Sequence, residues 1–163
     1  MVRRVALAIA LSTLVTNAHA QWLFRTEENA FEPDKSMHIA MTVANGGYAL
    51  GMRCRDGERS VIFMTPEKAD QVSVLNSASP VVMIRVDDND ILEYPAQLEV
   101  LGDTVAAGII DAEGVKKAFD QAREGRRRIS VAIKLLGQTM HPTNFNVRGS
   151  TRTISQLQEK CES

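Results

Sequence analysis

Apolar residues that recur at every second position, in short runs broken by turn residues, constrain this chain more than any other feature. Met37, Ile39, Met41 and Val43 form one such run, and Tyr48, Leu50, Met52 and Cys54 form the next, with Asn45-Gly46-Gly47 between them. A period of two places a run on one face of a strand, and Asn-Gly-Gly reverses the chain tightly. The pattern therefore predicts a β-hairpin with both apolar sets on the core side. Asp56-Gly57 turns the chain into a strand at Arg59 to Met64, and another run spans Val81 to Val86. After the reversal Asp87-Asp88-Asn89-Asp90, residues Leu92, Tyr94, Ala96, Leu98 and Val100 alternate with Glu93, Gln97 and Glu99. Pro95 has no N–H to give to a ladder, which predicts an edge position for that strand. Val105 to Ile110, Arg128 to Leu135 and Asn144 to Val147 complete the strands.

The period lengthens twice. Val115, Ala118, Phe119 and Ala122 follow helical spacing behind the capping residue Asp111 and before Gly125, so residues 112–124 read as an amphipathic helix. Ile154, Leu157 and Cys161 share a stripe of a closing helix over about 151–161. Residues 21–36 carry Trp22, Phe24 and Phe31 and end in Pro33-Asp34-Lys35-Ser36, so this segment is expected to pack by its aromatics alone. The fold class expected is mainly β (α+β): a β-sandwich-like antiparallel domain with one internal helix and a C-terminal helix.

The compartment is read from the first twenty residues. Arg3-Arg4, the apolar run Val5 to Val15 and Ala18-His19-Ala20 have the order of a secretory signal peptide, with cleavage after Ala20. The apolar run is too short to span a membrane and no other of its length follows. Residues 21–163 are then one exported domain, periplasmic or secreted. Residues 1–20 hold two of the 19 basic residues and none of the 20 acidic ones, so the remainder has 17 against 20 and a formal charge of −3. That balance disfavours a nucleic-acid partner. The two cysteines, Cys54 and Cys161, read as one disulfide in an oxidising compartment, and their strand and helix patterns aim both inward. A metal pair or redox couple is the competing reading, but there is no Cys-x-x-Cys.

Several of these features occur together: Trp22, Leu50 with Arg53-Cys54, Arg85-Val86-Asp87, the helix at 112–124, Phe145 with Gly149, and Cys161. This layout resembles a family of small periplasmic accessory proteins found with bacterial type VI secretion. The family's aromatic segment after the Arg-x-Asp strand is reduced here to Tyr94. What the resemblance implies is an envelope interaction module without catalytic chemistry, on a β-sandwich-like domain.

The residues themselves offer little chemistry. There is no Gly-x-Ser-x-Gly or His-Glu-x-x-His, so the chain is read as a non-catalytic protein without a cofactor. A dyad of His38 or His141 with Asp34 or Asp87 is not selected by any spacing. Met37-His38 and Met140-His141 suggest the alternative of a periplasmic soft-metal, copper-like site. In a regular strand Met37 and His38 diverge, whereas Met140 and His141 precede Pro142, where an irregular backbone can let both converge. Asp87 to Asp90 lacks the ligand spacing of a calcium loop and reads as a turn. Arg126, Arg127 and Arg128 follow the helix end; they balance its dipole or contact an anionic partner.

Overall fold

The computed structural model describes residues 21–32, 35–68 and 72–162. The signal-peptide expectation and the Pro33-Asp34 turn lie outside them. Among the described residues nine strands form: β1 (Leu23–Glu27), β2 (Met37–Ala44), β3 (Tyr48–Arg55), β4 (Glu58–Met64), β5 (Val81–Val86), β6 (Leu92–Leu101), β7 (Thr104–Ile109), β8 (Arg128–Leu135) and β9 (Gln138–Asn146). Three helices accompany them: α1 (Val72–Asn76), α2 (Ala112–Glu124) and α3 (Ser150–Glu162). The mainly-β α+β class is thus what the chain forms.

Every strand pairing is antiparallel, in the order β1-β2-β3-β4-β7-β6-β5-β8-β9. The sheet bends at β6, which pairs with β5 through Leu92–Pro95 and with β7 through Ala96–Leu101. Its two halves face each other across one core, where Phe63 of β4 meets Phe145 of β9 edge to face at 6.1 Å. The outer ends of the sheet meet again at a seam: β2 lies beside β9, and Trp22 donates from its indole Nε1 to the Asn146 carbonyl at 2.9 Å.

The two ends of this bent sheet differ. At one end α2 packs against α3, α3 packs on β1, β2 and β3, and α2 packs on β4, β5 and β7. Asp111 caps α2 by accepting from the Gly114 N–H at 2.7 Å, and Val115, Ala118, Phe119 and Ala122 are buried below it. Cys54 and Cys161 are joined there, with Cα atoms 5.6 Å apart. At the other end stand the β2–β3, β6–β7 and β8–β9 hairpins together with α1.

Five expectations need correction, the first being the single internal helix: the short α1 precedes α2 among the described residues. Met37, Ile39, Met41 and Val43 do not face the core: the core face of β2 holds His38, Ala40, Thr42 and Ala44, opposite Cys54, Met52, Leu50 and Tyr48. Residues directly opposite in an antiparallel pair share a face, so the three-residue hairpin loop fixes this choice. Pro95 is not on an edge strand; it sits where β6 changes partner from β5 to β7, a point that requires no N–H from it. Residues 21–36 do more than pack by aromatics, since Leu23–Glu27 pairs with β2, while Phe31 is 95% exposed. The last strand begins at Gln138 rather than Asn144.

Candidate functional site

The end away from α2 and α3, here called the open end, carries a cavity of about 360 Å³. Leu75, Leu98, Val105, Ile133, Leu135 and Met140 supply apolar walls, with Thr65, His141, Glu67 and Lys68 as the polar part. The Thr65 hydroxyl is spent on the Val105 carbonyl at 3.0 Å, and Lys68 pairs with Asp103 at 3.0 Å. The charged rim is therefore nearly balanced and the interior is apolar. Val74, Val100 and Leu136, each next to a wall residue or its strand partner, are exposed large apolar groups.

Two backbone irregularities build the site. Opposite Val131 and Ile133 on β8 stand Thr143 and Met140 on β9, so His141 and Pro142 together occupy the place opposite Ala132. This is a β-bulge, and His141 adopts φ +54° within it. The bulge breaks the alternation that separates neighbouring side chains, and Met140 and His141 line one cavity. His141 Nδ1 lies 3.4 Å from the Tyr48 hydroxyl across the β2/β9 seam. At the tip of the same hairpin, Leu136 and Gly137 form a two-residue loop with φ +51° and +77°. Such loops favour Asn-Gly, because a left-handed backbone costs a branched residue about 1–2 kcal/mol. Leu136 takes that conformation while 79% exposed.

The other candidate residues fall elsewhere. Met37 and His38 point to opposite faces of β2; His38 Nδ1 bonds Thr26 Oγ1 at 2.9 Å and its ring stacks on Phe24. A larger recess of about 750 Å³ beside the disulfide is lined by this His38 and mostly polar neighbours such as Thr26, Asn29 and Asp56. Arg126, Arg127 and Arg128 lie at the helix-covered end, and their three backbone N–H groups donate to the Asp87 carboxylate at 2.9, 2.8 and 3.0 Å. These donors, that of Arg128 foremost, hold the Asp87 carboxyl below the usual carboxylate range. The Arg127 guanidinium is hydrogen-bonded to Asp88, and Arg128 lies 4.0 Å from the same carboxylate. Asp87 to Asp90 thus works as a turn anchored to the start of β8, and neither Asp87 nor Asp88 is left to pair with a histidine. Among the described residues no group of three His, Cys, Asp or Glu side chains converges as a metal site. No helix there is long and apolar enough to cross a membrane.

Sequence reasoning singled out Met140 and His141 but missed the apolar walls, which come from β4–α1, β6, β7 and β8 and converge only in three dimensions. Leu136-Gly137 between two alternating runs was the available signal, since it is a turn sequence with the wrong first residue. A scan against family models, a search of curated proteins and a search of solved structures each returned no match.

Proposed function

We propose that this protein is a non-catalytic exported interaction module, an envelope or secretion-system accessory factor, which grips a partner protein at the open end of its bent sheet. One observation carries the reading: Leu136, the chain neighbour of the cavity residue Leu135, is held exposed and left-handed. A residue that costs folding energy and exposes apolar surface is explained by what it meets outside the fold. The occupant is an apolar anchor side chain on a partner segment, the usual centre of a protein interface. Rim charges Glu67, Lys68 and Asp103 select neither a strongly acidic nor a strongly basic segment.

A photo-crosslinking residue placed at Leu136 in cells tests this. One discrete adduct is expected, lost when Met140→Asp is added and absent when the crosslinker is moved to Ile110, which is exposed away from the mouth. No adduct at position 136, or the same adduct with Met140→Asp, contradicts the reading.

A second reading rests on the bulge itself, because it puts the Met140 thioether and the His141 imidazole on one apolar cavity. Soft, neutral ligands of this kind suit Cu(I). Competition against a chromogenic Cu(I) chelator should then show one equivalent bound, lost in both Met140→Leu and His141→Gln. Binding that survives either substitution removes this alternative.

A further inference from the structure

The recess beside the disulfide brings reactive groups together at the end opposite the cavity. Cys54 and Cys161 both line it, and so does His38. His38 on β2 stands directly opposite Cys54 on β3, so the two share the inward face of the sheet. The Cβ atoms of residues paired in this way lie about 4.5–5.5 Å apart, which brings the imidazole within reach of the Cys54 sulfur. Thr26 Oγ1 engages His38 Nδ1 at 2.9 Å and Phe24 stacks on the ring, so the imidazole is held in place with Nε2 as its other polar atom.

The two sulfurs are unequally placed. Cys54 is 1% exposed, whereas Cys161 is only half-buried, in the last turn of α3. Thiol–disulfide exchange depends on which sulfur an incoming thiolate can reach and on how readily the other one leaves. Burial closes the approach to Cys54 and leaves Cys161 as the sulfur open to attack. Cys54 is then the leaving group, and an imidazolium beside it favours the thiolate it becomes. Opening the bond does not unseat α3, because Thr153, Ile154 and Leu157 remain buried beneath it.

We propose that the Cys54–Cys161 disulfide is an exchange site for an external thiol, which attacks Cys161 while His38 receives the proton and steadies Cys54 as it leaves. The incoming thiol gives its proton to the imidazole and its sulfur bonds to Cys161 Sγ. The bond between the two cysteines breaks, and its electron pair stays on Cys54 as a thiolate beside the imidazolium. A second thiol can then attack the sulfur it shares with Cys161, releasing an external disulfide and leaving both cysteines reduced. Lys160 and His38 share the recess with Glu28 and Asp56, so charge alone neither gathers nor excludes a thiolate there. The thiol belongs to a small molecule or to a cysteine of another protein, and the step at Cys161 is the same for both. The site is separate from the open end, so partner capture there and exchange here succeed or fail independently.

Reduction of the chain from residue 21 without denaturant, read by alkylation and intact mass, tests the proposal. Between about 1 and 10 mM dithiothreitol the bond should open at a rate proportional to thiol concentration, and His38→Asn should slow it about tenfold with melting unchanged. With glutathione, acid quenching and mass mapping should place the mixed disulfide on Cys161. Comparing glutathione with a reduced Cys-x-x-Cys protein such as thioredoxin, at equal thiolate, tells the two sources apart, and faster exchange with either one supports the site. A rate that levels off as thiol rises means that exchange waits on unfolding, and this overturns the proposal. An adduct on Cys54, or a His38→Asn chain reduced as fast as the wild type, overturns it too. Should His38→Asn melt lower, the concentration dependence and the adduct position in the wild type still decide.

Discussion

The chain makes the same two-residue turn twice, once at each end of the molecule. Asp56-Gly57 joins β3 to β4 at the helix-covered end with φ +52° and +76°, and Leu136-Gly137 joins β8 to β9 at the open end with φ +51° and +77°. At the first, Asp is a residue that accepts the left-handed conformation, and the turn lies against the disulfide, with the Gly57 carbonyl 3.5 Å from Cys161 Sγ. At the second, a leucine takes the same strain and gives its side chain to solvent. One end follows the local rules of stability and the other departs from them, which is the pattern expected where a surface is kept for binding.

Perturbing the two ends should therefore have unequal consequences. The largest effect is expected from Cys54→Ala with Cys161→Ala. The bond closes a separation of 107 residues, and the chain-entropy model assigns it about 4–5 kcal/mol, to be measured as a lower urea midpoint with a steeper slope, since the unlinked chain unfolds further. Next is Gly114→Ala, at the start of α2. A Cβ there stands 2.4 Å from Tyr94 Cδ1 and 2.7 Å from the capping Asp111 Oδ2, so a loss of about 1–3 kcal/mol is expected in the same assay.

Asp87→Asn sharpens the comparison through pH. The folded carboxyl titrates below its unfolded value of about 3.9, so its contribution is present above that pH and is lost as pH falls through the folded value. The wild type should exceed the variant in stability at pH 7, and the gap should narrow below about pH 4. A gap constant from pH 7 to pH 2 would show that the three N–H donors do not favour the ionised form. At the open end the effects on folding are smallest. Met140→Asp, at a site 39% exposed, should change stability by less than about 1 kcal/mol while abolishing the crosslink from position 136.

Much of the fold was legible because period-two and period-3.6 patterns are local. β5 at Val81–Val86, α2 at Ala112–Glu124 and β8 at Arg128–Leu135 stand where the pattern placed them, and the cysteines aimed inward are bonded. β2 was misread because alternation alone does not say which face is inward. The Asn45-Gly46-Gly47 loop held that information, since Ala44 opposite Tyr48 forces Thr42 and Ala40 onto the side of Leu50 and Met52. β1 was illegible because its outward residues Arg25 and Glu27 mask any alternation, and its stability comes from the ladder to β2. In the candidate site, Pro142 hinted at the irregularity that brings Met140 and His141 together. The bulge itself depends on the register between β8 and β9, which no single strand records.

The most direct test of the account is a paired measurement on Leu136→Asn: its melting temperature and its partner occupancy at the open end, the latter read by a crosslinker placed at Met140. If Leu136 is kept for binding at a cost in folding, the variant gains about 1 kcal/mol in stability and loses most of the adduct. A variant that captures its partner as well as the wild type, or that melts at a lower temperature, contradicts the claim that the open end trades stability for recognition.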